Sequence, residues 1–115
     1  MTIRVWGIAA CDRCRQARRT LDAQGMSYHW RDLREAPPEP SELGRWLDLL
    51  GTGQLVNRRS TTWRSLDAEQ RAMLETDPVA LLAAHPLLVR RPLIERDGQI
   101  RVGFDEATRR WLGLS

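Results

Sequence analysis

The feature that most narrows the fold is a change of period within the first 25 residues. Ile3-Arg4-Val5-Trp6-Gly7-Ile8 is a short β-prone run that places Ile3, Val5 and Gly7 on one face. After Ala9-Ala10-Cys11 the repeat becomes helical. Cys14, Ala17 and Leu21 recur at i, i+3 and i+7, Arg13, Arg15, Arg18 and Arg19 fall mostly on other faces, and Gly25 supplies the stop. The prediction is strand, tight turn, helix, with Cys11 at or before the first helical turn and Cys14 heading the apolar stripe.

Ser27-Tyr28-His29-Trp30-Arg31-Asp32 predicts a second strand, returning parallel to the first. Pro37-Pro38-Glu39-Pro40 then breaks the chain, and Leu43, Trp46, Leu47 and Leu50 predict an amphipathic helix closed by Gly51. Residues 51–64 are irregular and rich in Gly, Ser, Thr and Arg; so long an irregular stretch in a small domain points to function or to a partner. Asp67 with Gln70 predicts an N-cap and a partial capping box for a helix ending near Thr76. Asp77-Pro78 starts another, with Val79, Leu82 and Ala83 inward, and His85-Pro86 ends it. Two runs, 93–96 and 99–102, flank Asp97-Gly98, a strong signal for a two-residue hairpin. Asp105 caps a last helix whose Ala107, Trp111 and Leu112 face inward, ending at Gly113. The order β-α-β, helical insert, β-β-α predicts an α/β, thioredoxin-like fold. It has a four-stranded mixed sheet flanked by helices, in one domain over residues 1–115.

Composition removes whole classes of function. With 42% apolar and 29% charged residues the chain is too apolar for disorder, and no apolar run approaches the roughly 18 residues of a membrane span. The opening Met1-Thr2-Ile3-Arg4-Val5-Trp6 lacks the basic start and long apolar stretch of a secretory leader, so a cytoplasmic location is expected. All 18 basic residues are Arg, which excludes Schiff-base and general-base lysines and makes every cation a planar fork suited to oxyanions. The net charge is only +3 and the Arg pairs are scattered, so direct nucleic-acid binding is not expected, and a monomer is. The two cysteines, Cys11 and Cys14, cannot frame a secreted scaffold; C-x-x-C beside a β-α-β pattern points to redox chemistry.

Three separated runs add a resemblance. The segments 3–12, 55–67 and 85–94, together with Val102-Gly103-Phe104 before the last helix, resemble the ArsC/Spx family, and within it the small YffB-like, arsenate reductase-related proteins. The resemblance implies a nucleophilic Cys11, anion-binding Arg59 and Arg91, and a cis peptide bond before Pro92, facing the active-site loop. It also implies glutathione as a co-substrate, with no bound cofactor. Glutathione-coupled arsenate reductases carry a further arginine near Gly103 that is absent here, so the resemblance does not extend to arsenate as the natural substrate. Cys14 stands where Spx-type regulators carry their second thiol.

The chemistry of these residues fits that picture. A helix N-terminus and nearby Arg13, Arg15 and Arg91 favour a thiolate at Cys11, and thiolate is the attacking form. Cys14 has two readings: core filling beside Ala17 and Leu21, or a resolving thiol closing an i, i+3 disulfide. Arg59 and Arg91 supply the bidentate forks that a tetrahedral oxyanion or a glutathione carboxylate requires, whereas Arg58 and Arg90 are read as solvent-facing neighbours. His29 and His85 lack the paired spacing of zinc ligand sets, so no metal is expected. Trp6, Trp30, Trp46 and Trp111 are read as core, and Trp63, beside Arg64, as the exception. The expected function is a thiol-dependent reductase, in which Cys11 attacks an oxidised substrate or a glutathione mixed disulfide and glutathione or Cys14 resolves the adduct. The alternative is an Spx-like redox regulator that binds RNA polymerase through a Cys11–Cys14 switch; the chain is shorter at its C-terminus than those regulators, which favours the enzyme. No membrane partner is expected.

Overall fold

The change of period at Cys11 is a change of structure. In the computed structural model, which describes residues 2–115, β1 (Ile3–Gly7) is followed by α1 (Asp12–Ala23) with Cys11 as its N-cap. Met1, where the reading for a leader begins, lies outside the described residues. The buried face of α1 is Cys14, Ala17 and Leu21, as the spacing predicts. The helix stops at Gly25, whose φ of 70° suits a residue without a Cβ, and the Met26 N–H closes back on the Leu21 carbonyl at 3.0 Å.

The remaining strands are β2 (His29–Asp32), β3 (Leu93–Arg96) and β4 (Gln99–Val102). They form one sheet in the order β2-β1-β3-β4, with β2 parallel to β1 and the β3–β4 hairpin antiparallel to it. A parallel β-α-β unit joined edgewise to a β-hairpin is the thioredoxin-like arrangement. The second strand is shorter than expected: its pairing begins at Arg4 opposite His29, leaving Ser27 and Tyr28 before it. The hairpin is as predicted, with Asp97 and Gly98 both at positive φ, 51° and 80°.

By contacts the chain forms two compact units, one built from the segments up to Glu35 and from Arg91 onward, the other from Ala36–Arg90. The core of the first contains Ile3, Val5, Ala17, Leu21, Ile94 and Phe104, with Leu112 and Leu114 from beyond α6 (Glu106–Trp111). Asp105 caps α6, and the N–H and hydroxyl of Thr108 hold its carboxyl below the usual carboxylate range. Trp6 is fully buried, whereas Trp30 and Trp111 are only half-buried. Each half-buried ring has a polar partner: the Arg18 guanidinium lies 4.3 Å from the Trp30 ring centre, and Trp111 Nε1 donates to Gln99 Oε1 at 3.1 Å.

The second unit is helical, and two expectations need correcting there. Helix α2 (Pro40–Leu55) does break at Gly51, at φ 74° and ψ 165°, but it resumes for another turn. Val56 then bridges to Val89, and α3 (Thr61–Arg64) is capped by Ser60, whose Oγ accepts the Trp63 N–H at 3.1 Å. Residues 51–64 are therefore mostly structured, because side-chain caps and the bridge satisfy their backbone groups. Loop length gives no argument for function. The second correction concerns α5 (Pro78–Ala84): it buries Leu81 and Leu82, while Val79 is half-buried and Ala83 exposed. Turning the helix to bury two leucines removes more apolar surface from water than burying an alanine would.

Helix α4 (Ala68–Thr76) has the complete reciprocal cap. Asp67 Oδ1 accepts the Gln70 N–H at 2.8 Å, and Gln70 Oε1 accepts the Asp67 N–H at 2.9 Å. Asp67→Ala should lower the stability measured by urea unfolding by about 1 kcal/mol, with Asp67→Ser recovering most of the loss.

Candidate active site

The site grows out of the junction between β1 and α1. Gly7 is buried at the end of β1, and its carbonyl accepts the Leu33 N–H at 2.8 Å. The Cys11 N–H donates to the Ile8 carbonyl at 3.1 Å, closing the turn, and the Cys11 carbonyl accepts the Arg15 N–H at 3.0 Å, opening α1. Cys11 has N-cap geometry, with φ −81° and ψ 124°, yet its side chain makes no capping hydrogen bond. Cys11 is half-buried, at the positive end of a three-turn helix whose first N–H groups have no intrahelical partner.

Cys14, one turn further, is fully buried. Burial pushes its thiol up to about 12 from an ordinary 9.0. The Ile8 N–H opposes this, the neighbouring Cys11 adds to it, and the positive charge of Arg91 opposes it more weakly. The same fold unit thus brings together Cys11, Cys14 and Arg91.

Of the cations expected beside Cys11, Arg15 is already committed. It pairs with the Asp12 carboxylate and reaches the Ala10 carbonyl at 3.4 Å. Arg91 is half-buried, and its bond to Pro92 is cis, as the resemblance implies. Pro92 is buried, and its carbonyl accepts the Gly103 N–H at 2.8 Å.

Arg59 belongs to the helical unit, where it is exposed in the short turn before α3 with its N–H on Asn57 Oδ1 at 3.0 Å. Its neighbour Arg58 lies 5.7 Å from the Trp63 ring centre, which Arg71 also approaches, at 5.6 Å. Arg90 is exposed. Among the described residues no group of three or more His, Cys, Asp or Glu could hold a metal ion, and no helix is long and apolar enough to cross a membrane.

Two residues escaped the sequence reading. Glu95 is buried in β3, where its Oε2 accepts a hydrogen bond from Trp6 Nε1 at 2.9 Å; nothing in a β-prone run signals a buried acid. Gly7 was read only as a strand position, but a Cβ there would overlap the Cys14 sulfur and come within 3.1 Å of Trp30 Cη2. The signal existed, since a glycine inside a strand marks a close approach.

Comparison with known proteins agrees with this geometry. The profile of the ArsC family matches residues 6–111. An uncharacterised protein of Haemophilus influenzae is 35% identical over 105 residues, covering 90% of this chain and 92% of that protein. The global transcriptional regulator Spx of Bacillus subtilis is 29% identical over 99 residues, covering 84% and 76% of the two chains. Among solved structures, the YffB protein superposes with a TM-score of 0.89 at 33% identity, covering 99% of this chain and 100% of that one. An arsenate reductase (ArsC) related protein from Brucella melitensis gives 0.75 at 33% identity, covering 99% and 97%.

The raised Cys14 thiol has a consequence for stability. Above about pH 9 the unfolded chain releases the Cys14 proton while the native chain keeps it, so the native state binds more protons and stability falls as pH rises. Urea unfolding across the range up to about pH 11 should show a loss of up to roughly 1.4 kcal/mol per pH unit attributable to Cys14, and that component should vanish in Cys14→Ala.

Proposed function

The chain belongs to the ArsC family, and from that premise we propose that it is a cytoplasmic, thiol-dependent reductase with Cys11 as nucleophile and glutathione as co-substrate. The observation that carries this reading is the placement of Cys11: half-buried, at a helix N-cap that its side chain does not serve, in the same unit as Arg91. The Cys11 thiolate attacks the glutathione sulfur of a mixed disulfide, the substrate thiolate leaves, and Cys11 becomes bonded to glutathione. A second glutathione thiolate attacks that sulfur, releasing Cys11 and oxidised glutathione. The burial and raised thiol of Cys14 support glutathione as the resolving group. Arg91 holds the negative group of the substrate as a fork, the role that the resemblance also implies for Arg59.

The likeness to Spx, a transcriptional regulator by name, and the Cys11–Cys14 pair support a second reading, a redox regulator that binds RNA polymerase. Two measurements separate them. Turnover of a glutathione mixed disulfide, followed as oxidised glutathione, should be lost in Cys11→Ser; capture of polymerase only under oxidising conditions, with no turnover by the intact protein, favours the regulator instead. For the anion-holding forks, Arg59→Lys and Arg91→Lys should each weaken sulfate binding about tenfold or more while Arg58→Lys and Arg90→Lys change it little. Equal sensitivity at all four positions would reduce the effect to general surface charge.

A further inference from the structure

Away from the cysteines, the helical unit gathers positive charge around one indole. Residues 57–66 contain three arginines and no acid. Trp63 is half-buried in α3, and the guanidinium groups of Arg58 and Arg71 lie 5.7 and 5.6 Å from its ring centre. Arg71 is fixed further by its Nη2, which donates to the Trp63 and Arg64 carbonyls at 3.3 Å. Arg58, Arg64 and Arg71 are all exposed, and among the described residues none of them has a carboxylate within ion-pair distance. Asp67, the acid nearest in sequence, commits its carboxyl to the Gln70 N–H. The ring attracts each cation, but two like charges on one ring also repel each other, and a bound anion relieves that repulsion.

We propose that Arg58, Trp63 and Arg71, with Arg64 beside them, form a docking surface for an acidic segment of a partner protein, whose Asp or Glu carboxylates the arginine forks hold. A guanidinium resting over a ring uses its flat face there and keeps the N–H groups of its edge for an acceptor, so the indole orders the forks without consuming their donors. Tryptophan and arginine are also the residues on which protein interfaces most often concentrate their binding energy. Two observations favour a short acidic polypeptide over a nucleic acid. A stacking base needs a free ring face, and this ring already carries two guanidinium groups. Helix α4 carries the exposed acids Glu69 and Glu75 on either side of Arg71 in sequence, so a long polyanion following that helix meets repulsion where a short one does not. The surface uses neither cysteine, so it stands or falls independently of the reductase reading.

The experiment is the fluorescence anisotropy of a dye-labelled hexaglutamate peptide titrated with the intact protein and its variants at low salt. Arg58→Gln and Arg71→Gln should each weaken binding about threefold, and the double variant about tenfold. Arg19→Gln and Arg110→Gln, which remove exposed arginines of the other unit, should change it little. Trp63→Leu keeps every charge but removes the ring, and should also weaken binding about threefold. Arg58→Lys keeps both the charge and the indole but not the planar fork, and should lose nearly as much as Arg58→Gln, which tests the same point if Trp63→Leu does not fold. Equal losses at Arg19 and Arg110, or an Arg58→Lys variant that binds as the parent does, reduce the effect to net charge and overturn the surface. A labelled oligothymidylate of the same charge that binds more tightly than the peptide, and loses affinity in the same variants, overturns the acidic-protein partner in favour of a nucleic acid.

Discussion

The distance at which α1 lies on β1 is the constraint on which the first unit depends. At the start of the helix it is set by the bare Gly7 on the strand facing Cys14 on the helix. Only below that narrow end does a large side chain, Leu21, enter the core beside Ile3 and Val5, contributing roughly 1.5–3 kcal/mol by its burial. The close end is also the end at which the helix begins and at which the half-buried Cys11 stands. Packing and chemistry are therefore coupled through one stripe of a twelve-residue helix.

Electrostatics narrows the field of actors in the same unit. A chain whose cations are all arginines looks rich in anion-binding forks, but several in the unit that holds the sheet are otherwise engaged. Arg15 pairs with Asp12 in an exposed pair of the kind that contributes little to stability, Arg18 lies over Trp30, Arg31 lies 4.9 Å from the Trp6 ring centre, and Arg96 Nη1 donates to the Trp111 carbonyl at 2.7 Å. Guanidinium groups here serve as flat covers for aromatic rings as much as charges. Arg91, which is also half-buried, differs in that its charge bears on Cys14.

What the sequence made legible was whatever is decided locally. The N-cap at Asp67, the stop at Gly25, the positive-φ pair Asp97-Gly98 and the stripe of α1 each depend on a few adjacent residues, and each stands as read. What it hid depends on partners distant in sequence. The region from 51 to 64 reads as irregular because its order comes from Val89 and Leu88, which lie some thirty residues on and supply a bridge and a carbonyl for Asn57. Glu95 lies in a β-prone run that gives no sign of a buried acid, yet it is buried and bonded to Trp6, a contact that spans 89 residues. The candidate site was legible as far as Cys11, Cys14 and the cis Arg91–Pro92 bond. Gly7 was not, because its importance is the absence of a side chain.

The same physics explains why a C-x-x-C spacing alone does not assign roles to its two thiols. Residues three apart on a helix share a face only if both are helical, and the N-cap is not: Cys11 has extended backbone angles, so it stands at the rim while Cys14 turns into the core. The start of the helix thus decides which sulfur meets solvent. That start is fixed by the turn in which the Cys11 N–H meets the Ile8 carbonyl, directly after the strand end that Gly7 keeps bare. If the helix began one residue earlier, Cys11 would become a helical residue rotated by about 100° with the turn it belongs to, and the N-cap position would pass to Ala10, which has no chemistry to offer. The asymmetry between the two cysteines is a property of the strand–helix junction, and the spacing is only its visible trace.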